Sequence, residues 1–186
     1  AGVATRRKGG SAADAAIAAS AVLAVTNQHM CGVGGDLWAL VHVPGEPKPF
    51  ALNASGHSGS GADIAGLERD GLVEMPFHKD PRSIPIPGCV DGWLALHERF
   101  GSLPLREVLA DAIDLAIDGF PISAECVQAT KLLTEIDNTQ DYFANGSPQV
   151  GQLIRRAKLG ETLRELANDG RESFYLGKFG EELLSF

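Results

Sequence analysis

From Ala12 to Val25 the sequence is almost wholly alanine, isoleucine, valine and leucine, broken only by Asp14 and Ser20. Opened by Ser11-Ala-Ala-Asp14, this stretch predicts a helix with a capped first turn. The Ser11 hydroxyl can accept from a free backbone N–H, and Asp14 suits the positive end of the helix. A helix with so little polar surface must be covered on nearly every face, and its alanines let neighbouring backbones come close. It therefore belongs inside a layered core. It is too short to cross a membrane, which takes about 18 consecutive apolar residues.

Beyond this helix the chain reads as a hairpin and then a train of helices. Thr26 to Met30 leads into the glycine turn Cys31-Gly-Val-Gly-Gly35, and Leu37 to Val43 is rich in apolar strand formers. Pro44-Gly45-Glu46-Pro47 is a turn, and Pro49 to Asn53 reads as a second, antiparallel strand. Asn53-Ala-Ser-Gly-His-Ser-Gly-Ser-Gly61 is expected to be a flexible polar loop. Ser83-Ile-Pro-Ile-Pro-Gly88 is extended, since each proline forces its predecessor out of the helical region.

Helices are expected from about Val90 to Phe100, stopped by Gly101, and from Pro104 to Asp118. In the second, Leu105, Val108, Leu109, Ala112, Ile113 and Ala116 form one stripe, opposite Arg106, Glu107, Asp111, Asp114 and Asp118. Ser123 can cap a further helix to about Ile136, Asn145-Gly-Ser-Pro148 is a turn, and Gly160 to Asn168 is the last well-patterned helix. The order is that of a layered α/β single-domain piece, residues 1–186, whose two strands do not make a complete sheet.

Composition narrows the function. Sixteen basic against 24 acidic residues leave the chain at -8, so phosphate backbones and anionic lipid surfaces are repelled. We expect neither a nucleic-acid partner nor a membrane span. The three cysteines, Cys31, Cys89 and Cys126, lie far apart without a C-x-x-C pair, and the five histidines lack ligand spacing. No metal or organic cofactor is expected.

Three local patterns invite a chemical reading. Gly32-Val-Gly34-Gly35 resembles a phosphate loop, but such a loop follows a strand and opens a helix, and here the order is reversed. A tight backbone passage is the better account. Asp36 opens a strand, where an aspartate is most often a turn or capping residue. Ser55 and Ser58 flank His57, yet sequence neighbours in a glycine loop rarely hold a nucleophile and its base in register.

The order of motifs does match one known family. Gly9-Gly-Ser-Ala-Ala-Asp-Ala-Ala-Ile-Ala-Ala19 resembles the G-G-N-A-x-D-A-A-x-A-A helix start of the gamma-glutamyltranspeptidases. Cys31-Gly-Val-Gly-Gly-Asp-Leu-Trp-Ala-Leu40 is similar to their S-G-I-G-G-x-x-F-x-L segment. Asp80-Pro-Arg-Ser-Ile-Pro-Ile-Pro-Gly-Cys-Val-Asp-Gly-Trp93 is similar to their S-x-x-V-P-G-x-V-x-G-W/L signature. Phe100 to Pro104, Ile117 to Ser123 and Leu163 to Tyr175 resemble the later helices.

The resemblance implies the N-terminal-nucleophile fold, a four-layer α-β-β-α sandwich, with this chain as the N-terminal part of the large subunit. It implies a precursor that cleaves itself, exposing an N-terminal threonine on a C-terminal small subunit. That threonine attacks a gamma-glutamyl or other acyl amide, its own α-amino group serving as base. Water or an amine then takes the acyl group. The Thr-Thr processing motif does not occur in these residues, so the partner expected for this chain is the C-terminal small subunit of the same precursor, and no catalytic residue is expected here. A cephalosporin acylase-like amidase is the alternative within the family, and a non-catalytic scaffold or interaction domain the alternative outside it.

One substrate contact is expected in the chain. Transpeptidase-type members place an arginine after the second strand, in a D-x-R-E-x-A-P loop, to hold the substrate carboxylate. Direct spacing puts Ser55 at that position, whereas the N-A-S-G-R-A-P variant puts His57 there. Neither supplies a permanently charged bidentate fork.

Overall fold

The computed structural model describes residues 1–76, 80–133, 139, 142 and 147–185. Its elements in chain order are α1 (Gly2–Arg7), α2 (Ala12–Thr26), β1 (Leu37–Val41), β2 (Phe50–Ala54), α3 (Ile64–Arg69), α4 (Cys89–Phe100) and α5 (Leu105–Val108). Then come α6 (Ala110–Asp118), β3 (Phe120–Pro121), α7 (Ala124–Thr130), β4 (Leu153–Ile154), α8 (Ala157–Asp169), α9 (Arg171–Tyr175) and α10 (Lys178–Ser185). They fall into two compact units, Ala1–Val33 with Trp93–Phe186, and Gly34–Gly92.

In the first unit α2 starts as its sequence dictates. Asp14 N donates to Ser11 Oγ at 3.0 Å, and Ser11 N donates to Asp14 Oδ2 at 2.8 Å, a reciprocal capping box. Ile17, Ala18, Ala21, Ala24 and Val25 are buried, and α2 packs on α6, which packs in turn on α8. The small residues set that spacing. A Cβ on Gly160 of α8 would stand 2.6 Å from Ile117 Cγ1, so the α6–α8 crossing depends on its being glycine. The buried indole of Trp93 donates from Nε1 to Ser20 Oγ at 3.1 Å, which pairs its one donor.

Three expectations change here. The α2 helix is not covered all round: Ala12, Ala16 and Leu23 are exposed, Leu23 at 48%. The helix expected over Pro104 to Asp118 is divided into α5 and α6 at Leu109, though the bonds Leu109 N to Leu105 O (2.9 Å) and Ile113 N to Leu109 O (3.0 Å) carry its direction through. The helix capped by Ser123 is α7, where Cys126 N donates to Ser123 Oγ at 3.1 Å, and it ends at Thr130 in a short 3-10 turn over Lys131–Leu133. Ile136, Asn145 and Gly146 lie outside the described residues. A short antiparallel pair, β3 with β4, was not expected, because two residues carry no period.

The second unit is built on the β1–β2 hairpin, antiparallel as expected, with Leu37 opposite Ala54, Trp38 opposite Asn53 and Val41 opposite Phe50. Exposure alternates along both strands. The outward positions Trp38 and Leu40 are 65% and 77% exposed, while Leu37, Ala39 and Val41 are half-buried on the other face.

Candidate functional site

The segment after β2 is fixed by backbone rather than by side chains. Gly56 has a φ of +84°, and a Cβ there would lie 2.0 Å from Ile86 O. Gly88 is as crowded: a Cβ would lie 2.2 Å from Ala54 O and 2.4 Å from Gly56 N. No side chain fits at either point. The N–H groups of Gly88 and Cys89 both donate to Gly35 O, at 3.0 and 2.9 Å. Ile86 N donates to His57 O at 2.8 Å, making an isolated antiparallel bridge.

Of the segment expected to be extended, Ser83 closes a short 3-10 turn over Pro81–Ser83, and the chain from Ile84 on is the rail against which residues 54–57 lie. The expected tight passage at Gly32 and Gly34 is not found. Nothing lies within 4 Å of a Cβ built on either, whereas Gly56 and Gly88 are crowded by backbone.

On that backbone the two candidate residues stand apart. The Ser55 hydroxyl donates to Asn53 Oδ1, and Ser55 N donates to the same oxygen at 3.0 Å, so Ser55 is tied to Asn53 and not to His57. His57 is exposed, and among the described residues its ring has no hydrogen-bond partner. A serine nucleophile activated by the adjacent histidine is thus not assembled. Asp36 serves locally, accepting from Trp38 Nε1 at 3.3 Å.

The arginines of this unit are engaged elsewhere. Arg69 Nη2 pairs with Asp63 at 3.0 Å. Arg82 donates from Nε and Nη2 to Asp80 and from Nη1 to Asp70 Oδ2 at 2.7 Å. Hydrogen bonds from the Arg82 side chain and backbone hold the Asp80 carboxyl below its ordinary range, and the paired carboxylates push the guanidinium further up. Among the described residues, then, no guanidinium stands in the turn after β2.

The residue that sequence reasoning passed over is Asn53. Its signal was the Asn-Ala-Ser spacing, in which an asparagine side chain accepts from the backbone two residues on and closes an Asx turn. No group of three His, Cys, Asp or Glu side chains able to hold a metal occurs among the described residues. No described helix is long and apolar enough to cross a membrane.

A family model described as Gamma-glutamyltranspeptidase matches residues 1–186. The chain is 38% identical over 188 residues to the oxamate amidohydrolase proenzyme of Klebsiella pneumoniae, covering 95% of this chain and 35% of that protein. It superposes on the gamma-glutamyltranspeptidase of Helicobacter pylori with a TM-score of 0.88 at 26% identity, covering 98% of this chain and 54% of that one. It superposes equally well, at 0.88 and 28% identity, on the cephalosporin acylase of Bacillus halodurans, covering 99% of this chain and 35% of that one. The chain thus spans about a third of the length of the oxamate amidohydrolase relative.

Proposed function

The chain belongs to the gamma-glutamyltranspeptidase family, and on that premise we propose that it is the N-terminal part of the large subunit of an amide hydrolase or acyltransferase. Its α/β fold is of the N-terminal-nucleophile type. In this reading the C-terminal part of the same precursor supplies an N-terminal threonine. The threonine oxygen adds to the acyl carbonyl of a gamma-glutamyl amide, the C–N bond breaks, and the amine leaves with the proton the hydroxyl gave up. Water or an acceptor amine then takes the acyl group from the ester.

This chain's share of the work is to hold the substrate. The observation that carries the reading is the turn after β2, where the resemblance puts the arginine of transpeptidase-type members. Its backbone is pinned by Gly56, Gly88 and the His57–Ile86 bridge while the His57 ring is left open. An imidazole in that slot offers a single ring N–H toward a ligand, whereas a guanidinium offers a fixed fork of donors and a permanent charge.

The test is KM for a gamma-glutamyl anilide against pH, in the two-subunit enzyme from the full-length precursor and in its His57→Arg variant. We expect the variant KM to be lower than that of wild type, since arginine adds a charged, forked donor at that position. Coincident profiles would remove His57 from the site.

A second reading has its own observation. With no guanidinium among the described residues of the turn, and Ser55 tied to Asn53, the slot also suits an acylase taking amides other than gamma-glutamyl ones. A kcat/KM for a small non-glutamyl acyl amide above that for the gamma-glutamyl anilide would select it.

A further inference from the structure

Asn53 stands at the end of β2, exposed and directly opposite Trp38. A side-chain amide has one carbonyl oxygen and two N–H donors, and its neighbours decide which end faces where. Here the oxygen takes both the Ser55 backbone N–H, at 3.0 Å, and the Ser55 hydroxyl. Two donors on one oxygen fix the flip of the amide and leave Nδ2 on the side away from the turn. Among the described residues Nδ2 has no partner. The turn has therefore used the Asn53 acceptor inward, and what Asn53 presents to a ligand is a donor, with the imidazole, which can donate or accept, four positions on.

The opposite strand is consistent with that role. Side chains directly opposite in an antiparallel pair share a face, with Cβ atoms about 4.5–5.5 Å apart. The Trp38 indole N–H is held by Asp36, so Trp38 flanks Asn53 as an apolar wall and does not compete for an acceptor. Asp36 brings a negative charge to the same face, which opposes any carboxylate held there and which the Asn53 donor has to outweigh.

We propose that Asn53 is a specificity-determining residue whose Nδ2 hydrogen-bonds the carboxylate of the acyl donor. This inference rests on the reading of the turn as the carboxylate slot. It adds a contact of another kind. The amide does not titrate, so its contribution does not vary with pH. It also accounts for how a slot without a guanidinium discriminates a carboxylate from an ester. The ester offers a weaker acceptor and no charge to the amide donor.

The discriminating variant is Asn53→Asp. Aspartate keeps the oxygen that accepts from Ser55, and so the turn, but replaces the outward donor with an anionic acceptor. The experiment uses the two-subunit enzyme from the full-length precursor, with gamma-glutamyl anilide and its α-carboxyl methyl ester as paired donors at pH 8.5. In wild type we expect a lower KM for the free carboxylate. Asn53→Asp should raise that KM by roughly tenfold or more, the lost hydrogen bond to a charged group and the repulsion between two carboxylates acting together. kcat and the KM of the ester should stay within about twofold. Thermal melting of the variant serves as the control for the fold.

A rise in KM for both donors alike, no rise for either, or a wild type that does not distinguish them overturns the assignment. The two claims separate cleanly. If His57→Arg leaves the pH profile of KM unchanged while Asn53→Asp acts only on the carboxylate donor, the histidine reading fails and the Asn53 contact stands.

Discussion

Ser102, in the turn after α4, donates its backbone N–H to the carboxylate of Asp14 at 2.9 Å, across 88 positions of sequence. Leu103 N donates to the same oxygen at 3.1 Å, and Ser11 N at 2.8 Å. One fully buried carboxylate therefore caps its own helix and fastens a second segment to it. Burial alone would push the Asp14 carboxyl up. The backbone N–H groups of Ser11, Ser102 and Leu103, with the Ser11 side chain, outweigh burial and hold it below its ordinary value.

A carboxyl depressed in the folded state stabilises the protein above the ordinary carboxylate range, and that stabilisation is lost as pH falls through its folded value. Wild type should therefore lose stability below about pH 4, and Asp14→Asn should flatten that acid branch. At pH 7 Asp14→Ala strands three donors and should cost about 3 kcal/mol or more, against about 1 kcal/mol for Ser11→Ala, which removes one capping bond. Urea unfolding of the full-length protein at a series of pH values measures both. A cost for Asp14→Ala no greater than that for Ser11→Ala would contradict this account.

The glycines of the second unit should divide sharply. A methyl on Gly56 or Gly88 meets backbone oxygen at 2.0 or 2.2 Å, and backbone cannot step aside as a side-chain tip can. Gly56→Ala and Gly88→Ala should each destabilise by about 2–4 kcal/mol and raise KM by displacing the turn. Gly59→Ala, with nothing within 4 Å, should change stability by less than about 1 kcal/mol. Equal behaviour of the three in a thermal melt would show that the crossing tolerates movement.

Residues 1–186 produced alone should not behave as an independent domain. Trp38 and Leu40 lie exposed on one face of a two-stranded sheet, and Leu23 and Met30 are exposed in the other unit. Light scattering should find oligomers or aggregates, and a hydrophobic dye should bind. A monodisperse monomer with a sharp, cooperative unfolding transition would contradict the need for a covering partner.

How much was legible in the sequence depends on how local each signal is. The Ser11–Asp14 cap is a three-residue spacing, and it is present as read. A run of apolar strand formers and a proline-glycine turn made the hairpin readable, and the α5–α6 stripe is buried at Val108, Leu109, Ala112 and Ala116. The rest depended on distant chain. That Gly88, and not Gly34, is the crowded glycine is decided by Ala54 and Gly56. The supposedly flexible loop is held at its root by Ile86, a residue no local pattern connects to His57. The Asn53–Ser55 turn was within reach of local reasoning and was hidden by the composition of the loop around it.

The contacts that shape residues 54–57 against Ile86–Gly88 are made by main-chain atoms, with glycine at both points of closest approach. Nothing in that arrangement depends on which side chain residue 57 bears. Histidine and arginine codons differ by a single base, CAY to CGY. A gene encoding this turn can therefore exchange the side chain at position 57 in one mutational step, leaving the main chain undisturbed. If residue 57 meets the substrate as proposed, such an exchange alters that contact while staying nearly silent in stability.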